Sequence, residues 1–234
     1  MSNGKKGCVI AGLGCGTMML VGMGIAGFFM YQQAKAIQEG IENPEPRALE
    51  LLGTTSLPEG YYAQMAMGVP FVMDVVFLSD RPPSEGEPGP DGLQSQRVFM
   101  FMQMKIANIK ESELEAFISG EADQSDVLSQ SGIQVDQSQV IQRGFFDMEG
   151  GKVHYMTQRG EVKFGNNANF NNRDGLSTLF VVHCESDPKV RFGVWFSNDP
   201  DPSVPLDQLD VIGTAADPEA FRGLMSHFGF CNAN

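Results

Sequence analysis

The sequence predicts an α+β chain: an N-terminal single transmembrane helix followed by one domain with a largely antiparallel β-sheet and two packed helices. Three observations predict it. Gly7 to Ala34 contains no charged residue and follows directly on Lys5 and Lys6. Beyond Gly60, apolar residues recur with a period of two in segments bounded by glycine- and proline-rich turns, the pattern of hairpin strands. Two short stretches instead carry helix caps and a period near 3.6.

The apolar run from Val9 to Tyr31 is 23 residues long. At about 1.5 Å per helical residue it reaches about 35 Å, enough to cross a ~30 Å hydrocarbon layer. The chain then divides into a cytoplasmic N-terminus (1–8), a transmembrane helix (9–31), a juxtamembrane linker (32–47) and an extracytoplasmic α+β domain (48–234). Lys5 and Lys6 flank one end of the span, Lys35 and then Arg47 the other. The denser positive flank belongs in the cytoplasm, which puts the domain in the periplasm or outside the cell. Ala34-Lys35-Ala36 has the form of a signal-peptidase site, but the apolar run far exceeds the ~7–15 residues of a cleavable leader, so retention as an anchor is expected. Gly12 with Gly16 forms a GxxxG pair and Gly22 with Ala26 a second small-xxx-small pair, notches that let another helix approach closely. The expected partners are the lipid bilayer and other membrane helices.

The linker ends in Asn43-Pro44-Glu45-Pro46, which resists helix continuation. Leu49–Leu52 reads as a helical turn closed by Gly53. Tyr61–Met67 and Phe71–Leu78 read as a strand pair, Asp80–Gln96 as a Pro/Gly-rich surface loop, and Val98–Ile106 as the clearest strand. That strand carries Val98, Met100, Met102, Met104 and Ile106 on one face and Phe99 and Phe101 on the other. Ser112-Glu113-Leu114-Glu115 is a capping box opening a helix with Leu114, Phe117 and Ile118 as its apolar stripe and Gly120 as its stop. Glu121–Gln139 is polar and carries no clear element. Val140–Met148 and Lys152–Gln158 form a hairpin around Glu149-Gly150-Gly151. Glu161–Phe164 reads as a short strand, and Leu179–Cys184 with Val190–Phe196 as a second hairpin. The last helix is capped by Asp217, has Pro218 at its first position, and presents Phe221, Leu224, Met225 and Phe228 until Gly229.

All 29 acidic residues but only 14 of the 16 basic ones lie beyond Tyr31, so the outer part carries a net −15. Nucleic acid is excluded as a partner on that ground, and docking of the domain to anionic lipid is disfavoured. No GxGxxG after a strand, phosphate-cradling GKS/T, HExxH or G-x-S-x-G occurs. No catalytic residue and no cofactor is assigned, and three histidines leave little for a zinc site. The expected function is a membrane-anchored extracytoplasmic binding or assembly subunit without catalytic activity. An enzyme with an unrecognised site predicts instead a deep pocket lined by convergent polar groups.

Four residues or clusters carry possible chemistry. Cys184 and Cys231 are the two cysteines of the outer domain, and a disulfide between them is expected in an oxidising space. His183 precedes Cys184, but adjacent strand residues point to opposite faces, which argues against a thiol–imidazole nucleophile. Met100, Met102 and Met104 project from one strand face, with Met65 and Met67 able to do the same nearby. Thioethers are ligands for Cu(I), so a periplasmic Cu(I)-binding protein is an alternative to plain core filling. Asp199, Asp201, Asp207 and Asp210 match no calcium loop, and the prolines among them indicate a solvated turn.

A basic leader ending at Gly7, an apolar helix and an α+β head with a late disulfide resemble in outline the type IV pilins and pseudopilins. The resemblance implies a filament subunit cleaved after Gly7. The motif departs from the family at Cys8, where it has phenylalanine, and at Gly12, where it has glutamate.

Overall fold

The computed structural model describes residues 38, 40–69, 72–82, 96–105, 111–122, 133–160, 163–164, 175–185 and 187–232. The expected span, with Gly12, Gly16, Gly22 and Ala26, lies outside the described residues, as does most of the Pro-rich loop. No helix among the described residues is long and apolar enough to cross a membrane.

In chain order the elements are α1 (Pro44–Leu52), β1 (Tyr62–Val69), β2 (Met73–Ser79), β3 (Arg97–Met104), α2 (Glu111–Ser119), β4 (Ile133–Gln134), β5 (Val140–Met148), β6 (Gly151–Arg159), β7 (Lys163–Phe164), β8 (Gly175–Cys184), β9 (Asp187–Asn198) and α3 (Pro218–Met225). Seven strands form one sheet in the order β1-β2-β3-β9-β8-β6-β5, while β4 and β7 make a separate ribbon. Every pairing is antiparallel. The expected domain with a large antiparallel sheet is therefore present, and three helices are packed on it among the described residues.

The added helix is α1. Pro44-Glu45-Pro46 does interrupt the chain, which bends at Asn43, but it also starts a new helix there. Proline lacks only an N–H that a first turn leaves free, and its fixed φ suits that position. Gly53, at φ +63°, stops the helix, and its N–H and that of Thr54 bond back to Glu50 and Leu49. Ala48, Leu51 and Leu52 are buried against the sheet. A bulge between Ala63 and Met65 resets the alternation of β1, so that Ala63 and Ala66 both join this core.

The sheet buries both faces. On the first, α1 and α3 cover an aromatic core in which Phe221 of α3 meets Tyr155, Phe180 and Trp195 at centroid distances of 5.5, 5.5 and 6.0 Å. Trp195 donates its Nε1–H to the Tyr61 hydroxyl at 2.7 Å, so neither polar end is stranded. Gly193 is bare for a reason: a Cβ there would lie 2.2 Å from the Met100 carbonyl and 2.5 Å from the Phe180 ring. α3 ends at Met225, before the expected Gly229, yet the tail keeps packing. Phe228 stacks near Phe99 at 5.1 Å and Phe230 on Phe101 at 4.6 Å.

On the second face α2 lays Leu114, Phe117 and Ile118 over a cluster that includes Met156, Leu179 and Val181. Glu111 is already helical, so Ser112 lies within α2 rather than capping it. Its far end is held by Arg143 of β5, whose guanidinium donates to the Phe117 and Ile118 carbonyls at 3.0 and 2.7 Å and also to Gln137. A cation is well placed at a helix C-terminus, where carbonyls lack partners.

Candidate functional site

Antiparallel register puts Lys152 of β6 opposite His183 of β8, and His154 opposite Val181. All four therefore share the second face, and the two histidines sit diagonally across the strand pair. α2 crosses above them with Glu111 and Glu115 one turn apart on its sheet-facing side. Glu115 Oε1 meets His154 Nε2 at 3.0 Å, and Glu111 Oε2 meets His183 Nδ1 at 3.1 Å. With Asp147, Gly151 and Glu185, the side chains of Glu115, Lys152, His154 and His183 line a cleft of about 260 Å³. Lys152 closes one wall, its Nζ 5.0 Å above the Phe145 ring.

Burial pushes the His154 imidazole below its ordinary 6.5, outweighing the attraction of Glu115. It pushes the Glu111 carboxyl above its ordinary 4.5, against the pull of His183. Glu111 Oε1 has no hydrogen-bond partner among the described residues. Chemically the cleft can exchange a proton between an imidazole and a carboxylate, and no hydroxyl or thiol is among its lining residues. Among the described residues no three His, Cys, Asp or Glu groups are placed to hold a metal ion. Each histidine is taken up by a carboxylate of α2, so the groups clasp the helix to the sheet.

Cys184 and Cys231 form a disulfide that joins β8 to the segment after α3. Cys184 is buried in the aromatic core, while His183 faces the other side and is half exposed. The alternation of β8 thus separates the neighbours as expected. His227 is occupied elsewhere, with Nδ1 2.9 Å from the Gly223 carbonyl.

The methionines do gather. Paired across strands on the second face are Met65 with Phe77, Met67 with Val75, Val75 with Met102, Phe77 with Met100, and Met73 with Met104. Six methionines therefore share one uncharged patch of β1, β2 and β3. Met102 is buried and the other five are half-buried. Met65 and Met67 are separated from β3 by the whole of β2, about 10 Å at the usual strand spacing. Met73, on the strand between, is the member that sequence reading missed. Its position was legible only as part of a strand start, and its partner Met104 lies 31 residues away in sequence.

The aspartates of the late loop are engaged locally. Asp199 takes the Arg159 Nε at 2.6 Å, Asp201 holds Ser203, and Asp210 accepts from the Ile212 N–H. A second buried polar group lies on the first face, where the Asp74 carboxylate is bound by Arg47 of α1 at 3.2 Å, by Lys105 at 2.8 Å and by Gln103 at 3.3 Å. It pins α1 to the sheet. Comparison with known protein families, curated proteins and solved structures finds no match.

Proposed function

We propose that this chain is a membrane-anchored, extracytoplasmic binding or assembly subunit, non-catalytic, whose glycine-notched helix packs on other membrane helices while the acidic domain meets a partner outside. The observation that carries the compartment is the Cys184–Cys231 disulfide, because such bonds persist in oxidising spaces and are rare where thiols are kept reduced. The anchor is supported by the charge-free run and its two lysines, and the packing role by Gly12, Gly16, Gly22 and Ala26. The mutual pairing of histidines and carboxylates in the α2 cleft supports a structural role for that cleft. The uncharged methionine patch supports a binding surface, since methionine adapts to varied apolar partners.

The test is chemical crosslinking in native membranes, followed by mild-detergent purification and mass spectrometry, with Gly12→Leu/Gly16→Leu as the paired variant. The expected result is a defined membrane complex that the double variant loses, with an intact amino terminus. A partner-free monomer unaffected by the double variant, or a protein released by alkaline carbonate, overturns the reading. Recovery of chains starting at Cys8 favours the pilin-like alternative instead.

A further inference from the structure

We propose that Met73, Met102 and Met104 form a thioether site for a single soft monovalent cation of the Cu(I) class. This inference requires neither the membrane anchor nor a partner protein, and it stands or falls apart from the reading above. It begins with register. The Lys105 N–H bonds to the Val72 carbonyl, which makes that pair hydrogen-bonded and leaves the next pair, Met73 with Met104, non-hydrogen-bonded. Such pairs bring their Cα atoms to about 4.5 Å and their side chains closest together. Met102 is the next residue on the same face of β3, about 7 Å along the strand. Three long, three-torsion side chains rooted at these points can converge on one ion.

The run Met100, Met102 and Met104 within β3 is a poorer set, because its ends lie about 13 Å apart at strand rise. Met65 and Met67 lie across β2. Among the described residues, methionines from two adjacent strands face each other directly only at the end of the sheet near Met73. The surroundings suit a soft ion. Val190 and Phe192 of β9 are paired with Met104 and Met102 and are buried, which withholds hard oxygen ligands. Within β2 and β3 the one carboxylate, Asp74, lies on the opposite face and is bound by Arg47 and Lys105. Met73 and Met104 are half-buried, so the site is within reach from outside.

The test uses the full chain in mild detergent with Cys8→Ser and Cys15→Ser, since thiolates outcompete thioethers for the same ion. It is titrated without oxygen or thiol reductant against a chromophoric Cu(I) chelator, and in parallel with Ag(I) while the ¹³C-methyl signals of the methionines are followed by NMR. Expected are uptake of one ion, shifts confined to Met73, Met102 and Met104, and at least a tenfold weakening in Met73→Leu/Met104→Leu. Met65→Leu/Met67→Leu should bind as the parent does. Leucine conserves volume closely enough to keep the fold, and the methyl shifts test the site in the unsubstituted cluster. No uptake, unchanged affinity in the first double variant, or shifts spread across all six methionines overturns the proposal.

Discussion

Removing the Cys184–Cys231 bridge should cost a large fraction of the domain's stability. The two cysteines are 47 residues apart, and in the chain-entropy treatment a loop of that length restricts the unfolded chain by about 4 kcal/mol. The folded side adds little relief, because Cys184 is 4% exposed and Cys231 packs against the same aromatic core, so neither end moves freely when cut. Total stabilities run about 5–15 kcal/mol. For a domain of this size a 4 kcal/mol loss lowers the melting temperature by roughly 8–16 °C. The assay is urea unfolding of the oxidised protein, the thiol-reduced protein and Cys184→Ala/Cys231→Ala, followed by tryptophan fluorescence, since Trp195 reports the core directly. Both cut forms should lose similar stability. A loss below about 1 kcal/mol in both would refute the reasoning, because it would mean the tail is held equally well without a covalent link.

Other substitutions probe single contacts. Arg143→Met should remove two charge-assisted bonds at the end of α2 and cost about 2 kcal/mol, read as faster amide exchange confined to α2. Asp217→Ala should cost about 1 kcal/mol in urea unfolding; burial alone would raise this carboxyl, yet the N–H groups of Gly213, Glu219 and Ala220 hold it below its ordinary 3.8. Tyr61→Phe leaves the buried Trp195 Nε1–H unpaired and should cost about 1–3 kcal/mol by the same measurement. His154 binds its proton less readily folded than unfolded, so the unfolded chain gains on acidification: stability should fall as pH drops from 6.5 through the lowered folded value, and His154→Gln should flatten that limb. Glu111 acts in the opposite sense, its protonation favouring the folded chain as pH falls through its raised value, which separates the two groups by sign: Glu111→Gln should steepen the acid limb that His154→Gln flattens.

What could be read from the sequence was local. Period-two alternation located the seven strands of the large sheet within a few residues but gave no sign of β4, and Asp217 with Pro218 located the start of α3, because these signals depend on neighbours a few positions away. Strand order was not legible. The β8–β9 hairpin enters between β3 and β6, a choice set by which faces match after collapse rather than by any turn. Of α1 only the last turn, Leu49–Leu52 with its stop at Gly53, was legible; its start was hidden because proline has two meanings, breaker inside a helix and starter at its first turn, and Pro44 uses the second. Phe228 and Phe230 lie past the end of α3, where continued apolar residues imitate a longer helix. The cleft was hidden for a geometric reason: Glu111 and Glu115 look like ordinary solvated helix charges until β6 and β8 bring His154 and His183 beneath them. The disulfide was legible because Cys184 and Cys231 are the only two cysteines beyond Tyr31.

The first and last parts of the domain are stapled side by side. The Gly229 N–H bonds to the Leu52 carbonyl at 2.9 Å, and a Cβ on Gly53 would fall 2.2 Å from the Gly229 carbonyl, so the two backbones touch. Any pull delivered through the residues ahead of Pro44 is thus shared at once with the carboxyl-terminal tail. That tail cannot peel away, because its other end is covalently moored to a central strand at Cys184. A load entering at α1 would therefore fall on interlocked backbone and a sulfur bridge as well as on the outermost strand pair.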